Sequence, residues 1–96
     1  VMRLEKERVE AIKREAANWT PDADTFVFGS RTDHHARGGD IDLLLLSEKK
    51  VPLATLRHLR RAILDEIGEQ RLDIVSFART AENPFKDVAL STAAKL

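Results

Sequence analysis

The chain has 96 residues, of which 43% are hydrophobic and 33% charged, enough for one small domain with a modest core. Its 16 basic and 16 acidic residues balance to a formal net charge of zero, so charge gives no reason to expect direct binding to nucleic acid or to a membrane surface. Without cysteine it has no disulfide or thiolate metal site, and no apolar run approaches the roughly 20 residues that span a bilayer. We therefore expect a single cytoplasmic domain.

The first predicted element is a helix over residues 4–17, which Pro21 ends shortly afterwards. Its apolar positions recur at helical spacing: Val9, Ile12, Ala16 and Trp19. A short β-rich run, Thr25–Phe28, follows and ends at Gly29. Residues 30–39 are polar, with room for a turn or two of helix.

The segment Asp40–Leu46 predicts the central strand of a sheet, and its nearly continuous apolar tail indicates burial on both faces. The next helix should begin at Pro52 and end at Gly68, because these residue types favour those two positions. The apolar stripe of this helix is predicted to contain Leu53, Leu56, Leu59, Ile63 and Ile67.

A third strand is predicted over Arg71–Phe77, and Asn83 with Pro84 begins a last helix that runs toward Lys95. The order is then helix, strand, short helix, strand, helix, strand, helix. This pattern is typical of the α/β class, and it predicts a small β-sheet flanked by helices.

Three aspartates on the predicted strands are the candidate functional residues. Asp40 and Asp42 are two residues apart on one strand, so their side chains share a face. Asp73 interrupts an otherwise apolar strand that we expect to be buried, and a lone acid there needs a partner. That partner is either the Asp40–Asp42 pair, reached if the two strands are neighbours, or an arginine such as Arg71 or Arg79.

Neighbouring carboxylates cost folding free energy unless a cation lies between them. Two Mg²⁺ ions fit this composition, because Mg²⁺ prefers oxygen ligands and often binds one or two carboxylates together with substrate phosphates. Asp40 and Asp42 would bridge the ions, and Asp73 would hold the ion that binds an attacking hydroxyl or accept its proton.

The Gly29–Ser30 turn at the end of the first strand is a candidate phosphate site. Glycine lets a phosphate approach the backbone closely, and a hydroxyl and backbone amides donate hydrogen bonds to it. Arg31 and Arg37 could add positive charge beside a triphosphate, or could be ordinary surface residues.

These residues form a pattern that is known from one superfamily. It consists of Phe28-Gly29-Ser30-Arg31, then Gly39-Asp40-Ile41-Asp42-Leu43, then Leu72-Asp73-Ile74-Val75. It resembles the minimal nucleotidyltransferases of the polymerase-β-like superfamily, although many relatives have Ser at the position of Gly39. The resemblance implies a single domain over residues 1–96, with a small mixed β-sheet flanked by helices in the polymerase-β-like palm arrangement.

The resemblance also implies roles for these residues. Gly29 and Ser30 would bind the triphosphate of ATP, Asp40 and Asp42 the Mg²⁺ ions, and Asp73 would complete the catalytic carboxylates. The implied reaction transfers AMP from ATP to a hydroxyl and releases pyrophosphate.

Minimal nucleotidyltransferases are often paired with a small helical HEPN-type protein, so the resemblance implies such a partner and an antitoxin-like role, with an oligomer possible. Two other hypotheses stay open. One is a non-catalytic antitoxin that neutralises its partner by binding alone. The other is a phosphatase-type Asp-x-Asp site, which Leu44 disfavours because such enzymes usually have a small hydroxyl residue there.

Overall fold

The computed structural model describes residues 5–28 and 40–96. The elements in these residues, in chain order, are α1 (Lys6–Trp19), β1 (Asp24–Val27), β2 (Asp40–Ser47), α2 (Leu53–Ile67), β3 (Arg71–Ala78), α3 (Pro84–Thr92) and β4 (Ala94–Lys95). The short helix predicted within residues 30–39 lies outside the described residues. Within the described ranges, no helix combines the length and apolar character needed to cross a membrane.

The strands form one mixed sheet in the order β3-β2-β1-β4. β2 is parallel to β3 and antiparallel to β1, and β4 is antiparallel to β1 on its other side. The predicted α/β class and the internal position of the strand that carries Asp40 and Asp42 are therefore confirmed.

Both faces of β2 are buried, as its apolar tail predicts. Leu43 and Leu45 face α1 and α2, and they belong to the main core together with Ile12, Leu59 and Ile63. Leu44 and Leu46 face the opposite side, where they pack with Ala89 of α3. The sheet thus separates two apolar clusters of unequal size.

The predicted limits of α2 hold to within one residue. Pro52 precedes the helix and its carbonyl accepts the first intrahelical hydrogen bond, while Gly68 ends the helix at a φ of 97° that favours glycine. The predicted apolar stripe is wrong at one position, because Leu53 is 62% exposed, and it missed Leu64, which is buried. Side chains tilt toward the helix N-terminus, so the first residue of α2 points past its packed turns.

The last helix begins as predicted, since the Asn83 side chain accepts hydrogen bonds from the backbone amides of Phe85 and Lys86 at 2.8 and 3.2 Å. Its predicted extent is wrong. The helix ends at Thr92, and Ala94–Lys95 pairs with β1. A strand of two residues has no recognisable periodicity, and it forms because the backbone groups of β1 need partners on that side.

Candidate active site

The parallel pairing of β2 with β3 decides where the aspartates lie. Asp42 is directly opposite Asp73, and Asp40 is opposite Arg71. Because adjacent strands are roughly 5 Å apart and paired residues project to the same side, Asp42 and Asp73 are neighbours on one face. The predicted approach of Asp73 to the earlier strand is confirmed for Asp42, its immediate neighbour. The predicted cluster of all three aspartates is not formed as a metal-holding group in the described residues, because Asp40 lies opposite Arg71.

The prediction that Asp73 is buried is wrong. Asp73 and Asp40 are exposed, and Asp42 is half-buried. β3 is an edge strand, and these residues occupy the beginnings of both strands, away from the buried contact of α3 with Leu44 and Leu46. Arg79, one of the alternative partners considered for Asp73, instead donates a hydrogen bond of 2.8 Å to Asp24.

The pair Asp42–Asp73 offers hard oxygen donors on an accessible face. Among residues 5–28 and 40–96, no group of three or more His, Cys, Asp and Glu side chains is arranged to hold a metal ion. Mg²⁺ commonly takes only one or two protein carboxylates and completes its shell with water and substrate phosphates. The donor chemistry of the pair therefore fits Mg²⁺.

An aromatic side chain that sequence reasoning missed borders this pair. The amide of Phe28 donates to the Asp42 carbonyl at 3.0 Å, so Phe28, Asp42 and Asp73 form one row across three strands. We call these three residues the acidic row. The signal was present in the sequence, since Phe26 and Phe28 have the spacing of one strand face, but it could be used only once the register was known.

The predicted phosphate-binding residues are Gly29, Ser30, Arg31 and Arg37, and all four lie outside the described residues. Their roles stay predictions. Phe28, which immediately precedes Gly29, lies beside Asp42, and Asp40 immediately follows Gly39. Of the described residues on either side of this segment, Phe28 is paired with Asp42 and Asp40 is two residues from Asp42 along β2.

A surface pocket of about 760 Å³ lies at the other end of β2. Its lining includes Trp19, Ser47, Lys50 and Arg79. Ser47 is seven residues from Asp40 along the same strand, so this pocket is separate from the acidic row. The chemistry of the aspartates, rather than the size of the cavity, identifies the candidate site.

No known protein-family model matches the sequence, and no curated protein matches it. Solved structures do share its fold. One is the tri-AMPylated Shewanella oneidensis HEPN toxin in complex with MNT antitoxin, with a TM-score of 0.70 and 15% identity over 94% of this chain and 69% of that chain.

Two further structures agree with it. A second structure from Shewanella oneidensis has a TM-score of 0.72 and 13% identity over 96% of this chain and 71% of that chain. A mutant of the toxin–antitoxin MntA-HpeT has a TM-score of 0.69 and 16% identity over 92% of this chain and 69% of that chain. Identities this low establish the fold alone, and the chain shares the small mixed-sheet α/β fold of these solved structures.

Proposed function

We propose that this protein is a metal-dependent nucleotidyltransferase that transfers AMP from ATP to a hydroxyl group of a helical, HEPN-type partner protein. The observation that carries the proposal is the placement of Asp42 directly opposite Asp73 on the face of the sheet that α3 covers only in part. We call this the open face. The likeness in fold to a complex that contains a tri-AMPylated HEPN toxin and an MNT antitoxin supports the same reaction and the same kind of partner.

In the proposed site, Asp42 and Asp73 would hold Mg²⁺, and Asp40 would add negative charge from the same face two residues along β2. The metal, when bound, would neutralise the phosphate oxygens of ATP. Asp73 is exposed and would accept the proton of the attacking hydroxyl. The hydroxyl oxygen forms a bond to the α-phosphorus, the bond from that phosphorus to the bridging oxygen breaks, and pyrophosphate leaves with the electron pair.

The exposure of the site supports an acceptor on another protein. Asp40 and Asp73 are exposed at the beginnings of their strands, so the hydroxyl can be presented from outside the domain. Positioning of an acceptor is itself a large part of catalysis, and a partner that buries this face would supply it. A helical partner would thus be both substrate and the second wall of the site.

The first test is calorimetric titration of ATP and GTP, each with and without Mg²⁺, into the wild type, Asp42→Asn and Asp22→Asn. Asp22 is a matched control, because it is an exposed aspartate that lines the pocket at the other end of the sheet. We expect Mg²⁺-dependent ATP binding in the wild type and in Asp22→Asn. In the transfer assay, Asp42→Asn should transfer AMP at least about 100-fold more slowly, a loss typical of removing one preorganised electrostatic group.

Transfer is measured with ATP labelled at the α-phosphate and a HEPN-type protein as acceptor. Label on the acceptor that depends on Asp42 supports the proposal. ATP binding that depends on neither Mg²⁺ nor Asp42 would contradict the proposal. If Asp42→Asn neutralises the acceptor protein as effectively as the wild type does, and the acceptor carries no label, the non-catalytic antitoxin would be favoured.

A further inference from the structure

Phe85, in the first turn of α3, is an exposed aromatic residue that the proposed chemistry does not use. Its side chain is 49% exposed. Its ring meets Phe28 edge-on, with centroids 5.8 Å apart and planes at 83°, and meets Phe77 at 6.2 Å and 39°. Two aromatic neighbours therefore fix the ring while about half of its surface stays open.

These contacts also locate the ring over the sheet. Phe28 follows β1 and Phe77 belongs to β3, which are the strands on either side of β2. A ring that touches both lies above β2, and Phe28 is a member of the acidic row. The ring of Phe85 therefore borders the acidic row through its contact with Phe28, on the face of the sheet that carries the carboxylate pair.

The backbone that carries Phe85 is held on both sides. Its amide donates to the Asn83 side chain at 2.8 Å. The next residue, Lys86, is buried, and its ammonium donates to the carbonyls of Arg79 and Ala81 at 2.7 and 2.8 Å. A rigid aromatic surface loses little conformational entropy when a ligand stacks on it.

We propose that Phe85 is the surface on which the nucleobase of ATP stacks when the triphosphate is bound at Asp42. The inference rests on the proposed function and names a specificity determinant of that site. A nucleoside triphosphate places a flat ring one sugar away from its phosphates, and an open aromatic face beside the phosphate site matches that shape. Since Phe offers no hydrogen bond, the contact selects for ring area, and purines gain more than pyrimidines.

Trp19 does not offer such a surface. It is 39% exposed, but its ring stacks on His58 with centroids 5.0 Å apart and planes at 8°. It also lines the pocket at the other end of β2. Phe85 is the exposed ring, among the described residues, that lies next to the acidic row.

The test compares a ligand that has a base with one that lacks it. Mg²⁺-ATP and Mg²⁺-tripolyphosphate are titrated into the wild type, Phe85→Leu, Phe85→Trp and Leu53→Ala. Leu53 is a matched control, since it is exposed and apolar but lies on α2, which packs on the opposite face. We expect Phe85→Leu to bind ATP roughly 5- to 100-fold more weakly, with tripolyphosphate affinity unchanged.

Phe85→Trp should retain or strengthen ATP binding, and Leu53→Ala should match the wild type for both ligands. In a Trp19→Phe background, the fluorescence of Phe85→Trp should change with ATP and not with tripolyphosphate. This second readout does not depend on the leucine variant being folded.

The failures are distinguishable. If the wild type binds neither ligand in an Asp42-dependent way, the proposed function fails and this inference falls with it. If the wild type binds ATP through Asp42 but Phe85→Leu binds ATP equally well, only the stacking role is overturned. If Phe85→Leu binds neither ATP nor tripolyphosphate, the stacking role is overturned in favour of a structural role. If Phe85→Leu binds ATP normally but binds a HEPN-type protein more weakly, Phe85 is a docking residue instead.

Discussion

The two faces of the sheet differ in how completely they are covered. The face packed by α1 and α2 carries the main core, whose fully buried residues include Ile12, Leu43, Leu45, Leu59 and Ile63. The other face is covered by the nine-residue α3, and around the buried Leu44, Leu46 and Ala89 its aromatic residues are only half-buried. All four phenylalanines of the chain lie on this second side: Phe26, Phe28, Phe77 and Phe85.

This difference places the main core and the candidate site on opposite faces. Burial of apolar area is the dominant favourable contribution to folding, and the covered face has most of it. The open face can then keep Asp40, Asp42 and Asp73 accessible, at positions where complete burial would impose a large desolvation cost on charged carboxylates. A domain of this size can support an open site because its other face is closed.

The largest expected effect is on the covered face. Ile63→Ala should lower the free energy of unfolding by about 2–5 kcal/mol, because it removes a fully buried side chain and leaves a cavity. Urea denaturation measures the loss, and ATP affinity of the folded protein should not change. Val88→Ala, on the open side at 68% exposure, is the control and should change stability by less than about 0.5 kcal/mol. Equal losses in the two variants would mean that the faces do not differ in this way.

The second prediction tests how α3 is held on the open side. Lys86→Met should cost about 1–3 kcal/mol, since it leaves the carbonyls of Arg79 and Ala81 without their charged donor. Lys50→Met, which changes an exposed lysine, should have little effect on the same denaturation curve. Unchanged stability of Lys86→Met would show that apolar packing alone holds α3.

The smallest effect concerns an exposed ion pair at the end of the open face. A hydrogen bond from Arg79, aided by the nearby charge of Lys95, lowers the pKa of Asp24 below its usual value. A depressed pKa in the folded state stabilises the protein above the unfolded value of about 3.9, and this contribution disappears as pH falls through the folded pKa. Below about pH 4, the melting temperature should therefore fall more steeply with decreasing pH for the wild type than for Asp24→Asn.

High salt should reduce that difference, because the pair is exposed and its charges are screened. Parallel melting curves for the two proteins at every pH would contradict the prediction. The other carboxyl groups titrate in both proteins, so the comparison isolates Asp24.

The register of the sheet shows why sequence reasoning predicted the candidate active site only in part. Alternation along the strand predicted that Asp40 and Asp42 share a face, and the apolar tail of β2 predicted its internal position, because both patterns are local. That Asp73 lies opposite Asp42 depends on which residues of two distant segments pair. Its exposure depends on β3 being an edge strand, which no local pattern states.

The sequence by itself determined the α/β class and, to within a few residues at their ends, the three helices and three longer strands of the described residues. It also determined the choice of the three aspartates as candidates. These features are readable from sequence because periodicity and capping act over a few neighbouring residues. Only the tertiary structure decided that β4 completes the sheet, that Leu53 is exposed, and that Phe28 lies in the acidic row with Phe85 beside it. These features arise from contacts between segments far apart in the chain, whose geometry is fixed by packing and strand register rather than by local preference.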